Sequence, residues 1–171
     1  MSFGFPRYEA RLEPILNAIR AVRENDVLFF AAAGNDGGNQ GIFWPAKLHE
    51  EGDVICISSS DSDGNAPSFN PTTGSNNRIC TLGEALPSCQ QDAHSNTIYR
   101  SGTSFATPIA VAIAAIILGV TDAIPPETMP PDFDWLKRKT LRTKAGMKKI
   151  LCTMCVLADK RSRLGFSYIT P

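Results

Sequence analysis

Apolar residues recur at spacings of three and four between residues 7 and 25: Leu12, Ile15, Leu16, Ile19 and Val22, with charged residues between them. That period predicts an amphipathic helix, which Asn25 and Asp26 end. Residues 27–33 then form an unbroken small and apolar run, the pattern of a parallel strand covered on both faces. A helix followed by such a strand predicts an α/β crossover unit. Residues 34–41 hold four glycines in eight positions and read as a loop. Short strands are expected at 54–58 and 79–82. Between them, 59–75 is rich in turn-forming Ser, Asp, Asn, Gly and Pro. Residues 87–100 are polar and read as loop. Residues 103–118 are apolar on every side, which predicts a helix buried all round. Residues 121–131 hold four prolines and read as a linker. Residues 135–158 are basic and amphipathic and are expected to contain one more helix.

Composition narrows the classes. The chain of 171 residues fits one compact domain better than two. Lys plus Arg is 17 and Asp plus Glu is 17. A balanced charge argues against nucleic acid or a membrane surface as partner. The longest apolar stretch, 109–120, is too short to span a bilayer. The first residues, MSFGFP, lack the basic start and apolar stretch of a secretory signal. Five cysteines are an odd, sparse set, which points to reduced thiols and a cytoplasmic setting.

Two segments carry candidate chemistry. Arg100-Ser101-Gly102-Thr103-Ser104-Phe105-Ala106-Thr107-Pro108 opens the buried helix. A hydroxyl there faces unpaired amides and the positive end of the helix dipole. Such a place can hold a nucleophile and stabilise negative charge beside it; a plain N-cap at Thr103 or Ser104 is the other reading. Asn35 follows the buried strand inside the Gly-rich loop. Ligands of parallel α/β sheets bind beyond the carboxyl ends of the strands, so its amide can donate to an oxyanion. Equally, Asn35 can serve only to tolerate a left-handed turn.

Together these segments resemble a family. Gly102-Thr103-Ser104-Phe105-Ala106-Thr107-Pro108 is similar to the G-T-S-x-A-x-P nucleophile motif of the subtilisin-like serine peptidases, peptidase S8. Phe30-Ala31-Ala32-Ala33-Gly34-Asn35-Asp36-Gly37 resembles that family's oxyanion segment. Met1-Ser2-Phe3-Gly4 resembles its cleft strand, and Trp44-Pro45-Ala46 its following short loop. The resemblance spans residues 1–120. It implies an α/β fold, a mostly parallel sheet with helices on both faces, truncated on its N-terminal side. It implies a serine endopeptidase acting on peptide or protein through an acyl-enzyme at Ser104. Asn35 and the Ser104 amide would hold the oxyanion. Ser2, Phe3 and Gly4 would pair with extended substrate. Ala32, Ala33 and Gly34 would wall the first specificity pocket. Calcium sites are common in the family, but no residue cluster in this sequence specifies one, so no metal site and no cofactor are expected.

The departures are as informative. In this family the catalytic Asp and His precede the cleft strand, and this sequence begins at that strand. Without a base a serine hydroxyl is a poor nucleophile. The chain alone is therefore expected to be inactive, or to need an N-terminal peptidase segment that supplies Asp and His. The alternatives are a non-catalytic peptide-binding or regulatory module, and a truncated fragment. His49 is expected at the surface, and His94 in the loop ahead of the nucleophile. Ile109-Ala110-Val111-Ala112 stands where the family usually has His-Val-Ala-Gly.

The organisation expected is a peptidase part at 1–121, a Pro-rich linker at 122–134 and a helical extension at 135–171. Leu141-Arg142-Thr143-Lys144-Ala145-Gly146-Met147, Met154 and Gly165-Phe166-Ser167-Tyr168 resemble the tail of fungal intracellular subtilisin-like domains. A zinc site at Cys152-x-x-Cys155 would need two more ligands from Cys56, Cys80, Cys89 or a histidine, and both are expected to be ordinary helix cysteines.

Overall fold

A computed structural model describes residues 1–38, 40–72, 78–125, 128, 136–157, 162–163 and 166–169. Much of the Pro-rich linker, and Gly165 of the tail motif, lie outside the described residues.

The amphipathic stretch starts as a 3-10 turn, Ala10–Leu12, and becomes helix α1, Glu13–Glu24. Pro14 sits in its first turn, where its missing N–H costs nothing. Strand β1, Phe30–Ala32, is shorter than the apolar run that predicts it, and Val27 is left exposed. After a 3-10 turn at Ala46–His49 come β2, Ile55–Ser60, and β3, Arg78–Leu82. Both pairings, β1 with β2 and β2 with β3, are parallel.

The sheet is packed on both faces. Phe30 pairs with Ile55, and Ile57 with Ile79, so these four share a face. They join Ala106, Ala110, Ile113, Met147 and Leu151 in the larger core cluster. Ala31 points the other way and packs with Leu12, Ile19, Trp44 and Val54, so α1 covers the second face. This is the α/β architecture expected, with helices on both sides of a mostly parallel sheet.

Four elements differ from expectation. Residues 87–100 are not loop but an antiparallel ribbon, β4, Leu86–Gln91, and β5, Thr97–Arg100. Both strands are largely exposed, so no apolar alternation announces them. The Asp92 carboxylate closes the connection, accepting from the amides of His94 and Asn96, each at 2.8 Å.

Helix α2, Thr103–Ala123, is not buried all round. Its buried positions follow one stripe, Thr103, Ala106, Thr107, Ala110, Ile113 and Ala114, against β1, β2 and β3. Val111, Ile116 and Val120 on other sides are 43%, 65% and 57% exposed. With 21 residues and a mean hydropathy of 2.1 over its most apolar 18, α2 has the length and composition of a membrane-crossing helix, yet here it lies on the sheet.

The basic segment forms two helices, α3, Arg138–Leu141, and α4, Lys144–Leu157. The break is local: the Thr143 hydroxyl accepts from the Gly146 amide at 3.1 Å and caps α4. The stretch expected as a helical extension also holds strands β6, Ser162–Arg163, and β7, Phe166–Ile169. Strand β7 pairs in parallel with β3, giving a sheet order β1-β2-β3-β7-β6.

Candidate active site

The carboxyl end of β1 and the amino end of α2 meet at one corner. Gly34 follows β1 with φ +114°, a conformation that L side chains rarely adopt. Gly102 precedes α2 with φ +153°, and its amide donates to the Gly83 carbonyl at 2.8 Å. These two glycines turn the chain so that Asn35 and Ser104 face each other.

Thr103 holds the corner shut. Its amide donates to Asn35 Oδ1 at 2.8 Å. Its hydroxyl accepts from the Gly34 amide at 3.2 Å and lies 3.1 Å from Asn35 Oδ1. Thr103 is 0% exposed, and Thr107 Oγ1 donates to its carbonyl at 2.8 Å. Asn35 thus spends its oxygen on the first turn of α2, which aims its Nδ2 outward. A β-carbon built on Gly102 would lie 3.2 Å from Asn35 Nδ2 and 3.3 Å from Ser104 Oγ. The amide donor and the hydroxyl therefore flank one gap, which Gly102 leaves open. Neither atom has a hydrogen-bond partner among the described residues. Helix α2 brings its unpaired amides and positive dipole end to the same place.

The gap opens into a cleft of about 260 Å³ lined by Ser2, Phe3, Gly4, Ala32, Gly34, Asn35, Asp36, Phe43, Thr103 and Ser104. Seven of the eight residues singled out in the sequence are brought together there. Ala33 is not among the lining residues. It is buried behind them, its amide donating to the Ile57 carbonyl at 2.9 Å. The first residues reach the cleft by running along the edge of β1: the Ala32 amide donates to the Met1 carbonyl at 3.0 Å. Phe5 and Trp44 then exchange two backbone hydrogen bonds, of 2.7 and 2.8 Å.

The sequence reading missed Thr103 as a clamp and Phe43 as a wall. A buried threonine beside the nucleophile motif was a usable signal for the first. Phe43 gave none, because its role depends on two distant glycines.

Neither histidine lines this cleft. His94 is exposed in the β4–β5 connection. His49 is half-buried rather than at the surface, and lines a separate small cavity with Cys56, Ser58, Lys144 and Lys148. Burial, and to a lesser degree the two lysines, hold its pKa below the ordinary histidine value against the pull of Glu50. Its Nε2 is buried without a hydrogen-bond partner among the described residues. Burial, with Cys155 nearby, pushes the Cys80 thiol up to about 12, so Cys80 is no rival nucleophile. No group of three or more His, Cys, Asp or Glu that could hold a metal occurs among the described residues.

Comparison with known proteins assigns the chain to a family. The sequence profile of the subtilase family, peptidase S8, matches residues 1–166. The chain is 29% identical over 129 residues to the subtilase-type proteinase RRT12 of Saccharomyces cerevisiae, covering 75% of this chain and 25% of that protein. It is 30% identical over 124 residues to the subtilisin-like protease het-Q2 of Podospora anserina, covering 69% and 33%. Among solved structures, the prenylagaramide maturation protease PagA superposes with a TM-score of 0.61 at 27% identity, over 91% of this chain and 50% of that one. A point mutant of the protease domain of PatA gives 0.61 at 26% identity, over 96% and 52%. The chain thus spans a quarter to a third of these curated relatives and about half of the solved structures. The profile match and the shared α/β fold together establish that the chain belongs to the subtilase family.

Proposed function

We propose that this chain carries the nucleophile and oxyanion side of a serine endopeptidase site. One observation carries the reading: Ser104 Oγ and Asn35 Nδ2, both without partners among the described residues, flank one gap at the amino end of a core helix. In this reading Ser104 attacks the substrate carbonyl. Asn35 Nδ2 and the Ser104 amide then donate to the oxyanion, in a field already favourable to negative charge. Ser2, Phe3 and Gly4 take an extended peptide as an added strand. Ala32 and Gly34 wall the pocket for its side chain, and Ala33 supports them from behind.

The base and its orienting carboxylate come from polypeptide outside these 171 residues. Neither His49 nor His94 borders the cleft, and Ser104 needs a base to act. An apolar groove of about 530 Å³ between β1 and α2, walled by Val22, Val27, Phe30, Val111 and Leu118, is a fitting seat for that segment. The substrate class is peptide or protein, as the proteinase and protease names of the relatives suggest. A cytoplasmic setting accords with five thiols and no disulfide. The same lack of a nearby histidine favours a second reading, a non-catalytic peptide-binding module built on this cleft.

Labelling with a serine-directed fluorophosphonate separates the two. The chain is treated alone and together with a polypeptide bearing the Asp and His segments of a subtilase. The expected result is labelling in the second arm that disappears in Ser104→Ala. Labelling at another serine, or none in a folded complex, would overturn the peptidase reading and leave the binding module.

A further inference from the structure

We propose that Phe43 closes the floor of the side-chain pocket beside Ser104 and restricts it to small substrate side chains such as alanine, serine or glycine. The inference rests on the peptide-cleft reading above and adds the class of substrate that the cleft accepts.

The pocket lies between two backbone segments, one around Gly4 and the other around Gly34. Phe43 fills the space between them. A β-carbon built on Gly34 would lie 2.9 Å from Phe43 Cδ1 and 3.0 Å from Cγ. One built on Gly4 would lie 3.0 Å from Phe43 Cβ and 3.5 Å from Cδ2. The aromatic side chain therefore touches both walls at the positions where neither has a side chain. The depth that two facing glycines would otherwise open is already occupied. Alanine at either glycine would crowd the ring, so the two glycines and the phenylalanine are matched in shape.

Phe43 is also held in place. Its amide donates to the Ala33 carbonyl at 2.8 Å, and its carbonyl accepts from Lys47 at 3.0 Å. The next residue, Trp44, is buried and bridged to Phe5 by two backbone bonds. The backbone on either side of the ring is thus fixed to β1 and to the first residues of the chain. A large side chain entering the pocket would have to displace a ring whose backbone cannot follow. An alanine methyl would rest on the ring face without moving it.

The test is equilibrium binding of fluorescent peptides that differ in one residue, alanine, leucine or phenylalanine, at the position entering the pocket. Binding needs no catalytic base, so the full chain is used as it exists, with Ser104→Ala as a non-cleaving control. Wild type is expected to favour the alanine peptide over the phenylalanine peptide by about 10-fold or more, at least the scale of one methylene in an apolar pocket. Phe43→Gly is expected to reverse that order. Phe43→Leu, which keeps an apolar plug, is expected to give an intermediate preference and serves if the glycine variant does not fold. A wild type that prefers the phenylalanine peptide, or a preference unchanged in both variants, would overturn the proposal while leaving the peptide cleft intact. Failure of wild type to bind any of the peptides would remove the cleft reading itself, and the proposal with it.

Discussion

The corner around Ser104 and the outer flank of α2 belong to one helix, yet they are built on opposite terms. At the corner the buried polar groups of Thr103 and the Asn35 oxygen are bonded inside. Thr103 is fully buried and ties α2 to Gly34 and Asn35. Asn35 Nδ2 and Ser104 Oγ are left over, and they face the cleft. Two to four turns later, Val111, Ile116 and Val120 stand in solvent with no polar counterpart. The corner is locally complete, and the flank is an apolar surface of the kind that a protein usually covers. The reactive half of the proposed site is thus assembled by residues near one another in space, independently of whatever covers α2.

The sharpest test of that contrast is Asn35→Asp. The substitution keeps an Oδ1 acceptor for Thr103 but removes the two amide hydrogens. In the enzyme completed by its Asp- and His-bearing segment, hydrolysis is expected to fall about 10²–10³-fold, the effect of losing one oxyanion donor. Thermal stability of the chain is expected to stay near wild type. Asn35→Ala is expected to lose the activity and also about 1–2 kcal/mol of stability, because the Thr103 amide loses its acceptor. Parallel kinetics and thermal melts check both. Equal stability losses in the two variants would mean that the side-chain oxygen is not the structural half of Asn35.

Next in size is Gly83→Ala, which attacks the support beneath the corner. A β-carbon at Gly83 would collide with Ser59 Oγ and would lie 2.9 Å from Ala106 Cβ and 3.0 Å from the Gly102 carbonyl. Ala106 and Gly102 are fixed by α2 and its entry, so the strain has no soft outlet. A loss of about 1–3 kcal/mol is expected, the usual cost of overpacking a filled site. Urea unfolding measures it. A neutral result would show that the start of α2 can shift, and that the corner is less rigid than its hydrogen bonds imply.

The corner was legible in the sequence and much of its frame was not, for physical reasons. Ser104 and Asn35 stand out through the family resemblance of their segments, since their local pattern alone leaves a plain N-cap and a turn-tolerating asparagine equally open. Strands β2 and β3 were short but bounded by turn residues, and their positions emerged to within a few residues. The β4–β5 ribbon was invisible because period-2 alternation arises only where one face is buried, and both its strands are largely exposed. The all-round apolar pattern of α2 overstated its burial here, since composition registers what a helix can bury, not what covers it. Strand β7 escaped because parallel pairing with β3 joins residues far apart in sequence. Phe43 escaped for the same reason, its partners being Gly4 and Gly34.

His49 offers a smaller effect, in a cavity separate from the cleft. Its folded pKa lies below the ordinary value of 6.5 because burial penalises the charged ring, with Lys144 and Lys148 adding to it and Glu50 opposing. The unfolded chain therefore binds the proton more readily. This contribution to stability is present above about pH 6.5 and is lost as the pH falls through the lower folded value. Melting temperatures taken between pH 7.5 and pH 5 should decline more in wild type than in His49→Gln. Identical slopes would place the buried imidazole in contact with solvent.

The smallest change in stability is expected on the flank itself. Ile116→Lys and Val120→Lys replace side chains that are already 65% and 57% exposed. Each should alter the unfolding free energy by no more than about 0.5 kcal/mol, as surface substitutions away from packed features do. Their effect should appear instead in association. Sedimentation or light scattering should show less self-association than wild type, because a charge now interrupts the apolar stripe. If the covering segment seats on this flank, the same lysines should also weaken its binding while leaving the Asn35–Thr103 bonds untouched. A loss above about 1 kcal/mol in the isolated chain would mean instead that the flank is packed. The contrast between a finished corner and an uncovered helix would then disappear.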